Sequence, residues 1–86
     1  MGKTLRVANI SYSITSEDLT VKFSNFGTVV SADVIRDERT GRSKGLGLVE
    51  MATEGQAKAA IDHLNFSQLN GLTLGVREAP RMRKRQ

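Results

Sequence analysis

The chain has 86 residues, no cysteine and a formal net charge of +4. That length makes one small domain burying about 60–65% of its unfolded surface, and the missing cysteines exclude disulfides, thiolate zinc sites and thiol nucleophiles together. Apolar runs fall far short of the roughly 20 residues a membrane-crossing helix needs, and the N-terminus carries no apolar signal segment, so a soluble, intracellular protein is expected, with nucleus, cytoplasm and organelle undistinguished.

In chain order, Thr4 to Asn9 alternates Leu5 and Val7 on one face with Arg6 and Ala8 on the other, the period of a half-buried strand. Thr15-Ser16-Glu17-Asp18 opens a helix, and Leu19, Phe23 and Phe26 carry it at helical spacing to Gly27, which predicts a helix over Ser16 to Phe26. Val29, Ala32 and Val34 mark a second strand, closed by the polar turn Asp37 to Ser43. Leu46 to Met51 reads as strand three, apolar on both faces at its start. Thr53 followed by Gln56 has the capping-box pattern, and Ala57, Ala60, Ile61 and Leu64 form the stripe of a second helix slim enough to pack close to a sheet. Asn70-Gly71 marks a turn before strand four, Leu72 to Glu78.

Arg81, Arg83, Lys84 and Arg85 then supply four of the 13 basic residues, so residues 1 to 80 carry nine basic and nine acidic groups. A near-neutral domain over 1–79 with a basic tail over 80–86 follows, and such a tail either contacts polyanions or merely solubilises. The element order strand, helix, strand, strand, helix, strand is an α+β, ferredoxin-like βαββαβ arrangement. Two helices cover one face of a four-stranded antiparallel sheet, and the other face is open.

Lys44-Gly45-Leu46-Gly47-Leu48-Val49-Glu50-Met51 aligns with the octamer K/R-G-F/Y-G/A-F-V-x-F/Y, and Leu5 to Ile10 takes the slot of a strand-one hexamer. With Leu19-x-x-x-Phe23-x-x-Phe26-Gly27, Arg36-Asp37-x-x-Thr40-Gly41-x-Ser43-Lys44-Gly45 and Leu69-x-Gly71-x-x-Leu74-x-Val76 at matching spacing, the chain resembles the RNA recognition motif family from Thr4 to Ala79. The resemblance implies single-stranded RNA as partner, a role in RNA processing or regulation, and bases stacked on sheet-face aromatics at about 1–3 kcal/mol each. The stacking positions hold Arg6, Leu46 and Leu48, none of them aromatic. Phe23 and Phe26 fall on the helix stripe, Tyr12 in the first loop and Phe66 after helix two.

Binding is therefore expected to use Arg6, whose guanidinium stacks and reaches phosphate, together with Leu46 and Leu48 as an apolar floor. Lys44 and Arg77 flank that floor, Asn9 at the end of strand one joins the site, Arg36, Arg39 and Arg42 sit on or beside the long loop, and Arg81 and Arg83 lie in the tail. Tyr12 either packs the loop or meets a base, and the loop arginines either meet phosphate or pair with Asp37 and Glu38. Val21 and Phe66 read as single exposed apolar residues, and His63 as a surface residue. The alternative is a protein-interaction module docking through the aliphatic sheet face or the helical face; otherwise a monomer is expected. No cofactor, metal or membrane partner is expected. Acylphosphatase-type enzymes share the element order, but Asn9 to Ser13 offers no glycine-rich phosphate cradle and no nucleophile and base pair is visible, so the chain is read as no enzyme.

Overall fold

Alternation sets the central strand, β1 (Thr4–Ala8): Leu5 and Val7 are fully buried while Arg6 is exposed. The computed structural model describes residues 3–79. β1 stops one residue before the predicted end because Asn9 adopts φ 63°, a left-handed conformation that asparagine tolerates and a strand cannot continue through.

Helix α1 (Ser16–Phe23) begins with a complete capping box. The Thr15 hydroxyl accepts from the Asp18 N–H at 3.1 Å, and the Asp18 carboxylate accepts from the Thr15 N–H at 2.9 Å. The α-helix ends at Phe23 rather than Phe26, and Ser24–Phe26 tighten into a 3-10 turn. The Ser24 hydroxyl and the Asn25 amide donate to the carbonyls of Val21 and Lys22, competing with further helical bonds. Strand β2 (Val29–Arg36) slips register against its neighbour between Val29 and Ser31. That bulge lets Val29, Ala32 and Val34 all pack against the core despite their uneven spacing.

Strand β3 (Ser43–Met51) starts earlier than the predicted Leu46, because the hairpin pairs Ser43 with Arg36. Helix α2 (Glu54–Leu64) is capped by Thr53, whose hydroxyl accepts from the Gln56 N–H at 3.1 Å. The predicted capping box is only half made, since the Gln56 carbonyl oxygen turns away to accept from the Thr28 N–H at 3.1 Å. A side chain at Gly27 (φ 152°) would collide with that carboxamide.

The predicted fourth strand is in fact two pieces. β4 (Gln68–Leu69) and β5 (Leu72–Thr73) form a small hairpin over Asn70-Gly71, whose φ angles of 53° and 84° suit the tight turn. Leu74 leaves the ladder because its N–H donates to Ser67 O at 2.7 Å and its carbonyl accepts from Phe66 N–H at 2.9 Å. Strand β6 (Gly75–Glu78) then pairs with β1, giving an antiparallel sheet in the order β2, β3, β1, β6.

Both helices lie on one side of the sheet. Leu19 and Phe23 from α1 and Ala57, Ala60 and Leu64 from α2 join Leu5, Val7, Val49, Met51 and Val76 in a single core. Each large aliphatic or aromatic side chain buried there contributes about 1.5–3 kcal/mol. The outer strands are tied down by side chains: Val34 N–H donates to Ser16 Oγ at 3.2 Å and Val76 N–H to Asn65 Oδ1 at 3.0 Å. Such bonds occupy backbone groups that would otherwise invite another strand. What remains unlayered is the far face of the sheet.

Candidate functional site

Strand register determines what that open face displays. Because Leu5, Val7, Val49 and Val76 point into the core, the residues between them point outward. Arg6 pairs with Leu48 on one side and Arg77 on the other, and Leu48 pairs with Asp33. One row across the sheet therefore reads Asp33, Leu48, Arg6, Arg77. The next row reads Ile35, Leu46, Ala8, Gly75, and a third places Glu50 between Ser31 and Thr4. Leu46 and Leu48 are half-buried, while Arg6, Arg77 and Asp33 are exposed. Two arginines thus stand directly opposite one another across β1 and β6, beside an apolar strip.

At the Leu46 end of the face, Asn9, Ile10, Ser11, Tyr12, Gly45, Leu46 and Leu72 line an open cleft of about 580 Å³. Its walls are braced: Asn9 Nδ2 donates to Thr73 O at 2.7 Å and Ile10 N–H to Gly45 O at 3.1 Å. Asn9 thereby secures the end of β1 to β5. Tyr12 is 75% exposed, so the loop-packing reading of its ring does not hold.

The β2–β3 loop is organised by Asp37. Its carboxylate accepts from the Arg39 and Thr40 N–H groups at 2.8 and 3.2 Å, and its backbone bonds with Arg42 and Gly41. That turn chemistry engages Asp37, and of the two alternatives for the loop arginines the pairing with it is not formed among the described residues. Among the described residues Arg36, Arg39 and Arg42 form no ion pair with Asp37 or Glu38. Arg36 lies back on the turn through a long 3.4 Å bond to Gly41 O, and all three side chains are exposed. Lys44 is placed in β3, but its side chain lies outside the described residues, as do Arg81 and Arg83.

Three contributors escaped sequence reasoning. Leu72 belongs to the cleft rather than to the main sheet, Ile35 extends the aliphatic strip, and Asp33 sits on the open face. Alternation within Val29 to Arg36 carries a signal for Asp33, whereas the Arg6 and Arg77 juxtaposition needs the register. On the helical side Val21 and Phe66 are exposed as expected, and His63 stacks on Phe26 with ring centroids 5.1 Å apart. Among the described residues no group of three or more His, Cys, Asp or Glu side chains is arranged for a metal ion, and no helix is long and apolar enough to cross a membrane.

A four-stranded antiparallel sheet with two helices behind it and the octamer and hexamer phrases on its two central strands defines a class of ligand-binding sheet domains. The chain belongs to the RNA recognition motif family, whose pattern matches residues 5–75. It is 40% identical to RbpE of Nostoc sp., named as a candidate RNA-binding protein, over 94% of this chain and 83% of that protein. The crystal structure of RNA binding protein PG1 superposes with a TM-score of 0.90 at 40% identity, covering 95% of this chain and 99% of that one. The Rna15 RNA recognition motif with bound GU RNA superposes with a TM-score of 0.82 at 28% identity, covering 92% and 84%. Other relatives are longer, and this chain spans 24% of one and 50% of another. The match is to a family of RNA-binding proteins and not to an enzyme family.

Proposed function

We propose that the open sheet face binds single-stranded RNA, in a protein serving RNA processing or regulation. The observation that carries this reading is the pair of arginines, Arg6 and Arg77, standing side by side next to Leu46 and Leu48 on the face the helices leave uncovered. Like charges directly across a ladder destabilise it, so a polyanion that neutralises them is favoured there. The aliphatic strip covers base faces by desolvation, Arg6 stacks and reaches phosphate, and Tyr12 offers a ring at the cleft. Asn9 supports the cleft wall through Thr73. Lys44, Arg36, Arg39 and Arg42 extend phosphate contacts along the loop, and Arg81 and Arg83 along the basic tail over 80–86 that follows the domain.

With stacking aromatics replaced, affinity comes mainly from counterion release and falls steeply with salt. Titration of a short mixed-sequence RNA at low salt, followed residue by residue by NMR, is expected to shift Arg6, Tyr12, Leu46, Leu48 and Arg77 together. No shift at these positions would sink the reading. The Rna15 RNA recognition motif, a structural relative, has been seen with GU RNA bound, which supports RNA as the ligand class. A protein partner on the aliphatic strip would instead associate independently of salt and be lost on Leu48→Asp.

A further inference from the structure

Among the described side chains of the open face, charges are sorted by strand. Arg6 and Arg77 lie on β1 and β6, Asp33 and Glu50 lie on β2 and β3, and Leu48 separates Asp33 from Arg6. Ala32 and Val34 pack against the core, so the Asp33 side chain between them stands on the open face, where it is exposed. Among the described residues its carboxylate has no hydrogen bond and no ion pair. On a surface that gathers phosphates such a group repels the ligand, unless it accepts hydrogen bonds from what lies on Leu48. Asp33 and Arg6 are two strand spacings apart, about 9–10 Å at ~4.7–4.9 Å each. A nucleotide laid across the row, with its phosphate at the arginines and its base over Leu48, brings the edge of the base to Asp33.

An ionised carboxylate only accepts, through two oxygens side by side. Guanine presents two adjacent donors on one edge, N1–H and the 2-amino group. Uracil sets its single N3–H between two carbonyls, and cytosine and adenine set an amino group beside a ring acceptor. We propose that Asp33 is a specificity-determining residue that selects guanine over Leu48 while Arg6 and Arg77 hold the phosphate; this rests on the RNA-binding reading above.

The test is fluorescence anisotropy at fixed salt with three pentamers: all uridine, uridine with a central guanosine, and uridine with a central inosine, which lacks the 2-amino group. The protein is expected to prefer the guanosine pentamer over the uridine one on the order of tenfold, with inosine between them. Asp33→Ala is expected to abolish that preference, weakening guanosine binding while leaving uridine binding unchanged or tighter as repulsion is lost. Glu50→Gln, which removes the same charge from the same half of the face, is expected to leave the base preference intact. Absence of a preference in the unaltered protein, or an equal effect of Asp33→Ala on guanosine and uridine pentamers, overturns the assignment while RNA binding stands. Failure of all three pentamers to bind overturns the RNA-binding reading itself.

Discussion

Replacing Arg77 with glutamate should make the domain more stable and a worse RNA binder at once. Arg77 pairs with Arg6 across β6 and β1, so the two like charges oppose each other directly. A cross-strand pair of like charge destabilises, and one of opposite charge stabilises, by about 0.2–1 kcal/mol each at exposed sites. Arg77→Glu replaces the first with the second, a gain of about 0.5–1.5 kcal/mol. Arg77→Gln removes the repulsion alone and should gain about half as much. In binding, each phosphate neutralised on a single strand contributes about 0.7 to the slope of log K against log salt. Arg77→Gln is expected to lower that slope by about 0.7, and Arg77→Glu by more, since it adds a repelling charge. Urea denaturation reads the first effect and anisotropy across a salt series the second. A glutamate variant that is less stable than the parent, or an unchanged salt slope, would refute the side-by-side geometry.

Two further outcomes test the packing beneath the face and the cleft beside it. At Gly47 an added Cβ would stand 2.8 Å from Leu19 Cδ1 and 3.1 Å from the Asp33 carbonyl oxygen. Gly47→Ala is therefore expected to cost about 1–3 kcal/mol, lowering the melting midpoint by ~4–8 °C per kcal/mol, and an unchanged midpoint would contradict the close approach of α1 to the sheet. Tyr12 is 75% exposed, so Tyr12→Ala should leave stability within about 0.5 kcal/mol. Its RNA affinity should fall by about 1–3 kcal/mol, the value of one base stacked on an aromatic. A stability loss without an affinity loss would return Tyr12 to a packing role.

What was legible in the sequence was what local pattern encodes. The alternation of Leu5 and Val7, the Thr15 cap, the Asn70-Gly71 turn and the small-residue stripe of α2 each specify their element without reference to the rest of the chain. Two of the misplaced features depended on partners outside their own element. Strand four breaks because Leu74 bonds the Ser67 and Phe66 backbone, and Gln56 abandons its cap for Thr28 on the preceding connection. At the site, Arg6, Leu46 and Leu48 were readable from the motif. The facing of Arg77 and Asp33 onto them was not, since it follows from register alone. The sequence leaves pairing of the loop arginines with Asp37 open, because that residue's turn bonds to backbone N–H groups leave no mark in composition.

Loss of the aromatic platform and the adjacency of Arg6 and Arg77 are two sides of one change in how affinity is supplied. An aromatic at position 6 beside Arg77 would carry no repulsion and would bind bases through stacking, which salt hardly weakens. With arginine there, opposed residues sit about 4.5–5.5 Å apart, inside the ~8 Å Debye length at physiological ionic strength, so the repulsion persists in the free domain and is relieved on phosphate binding. Affinity gained this way is blind to base identity, because phosphates are alike in every nucleotide. Discrimination must then come from groups aimed at base edges. In the row that crosses the arginines, the acceptor so placed is Asp33, which is why that carboxylate, and not the Glu50 one in the neighbouring row, is assigned to base readout.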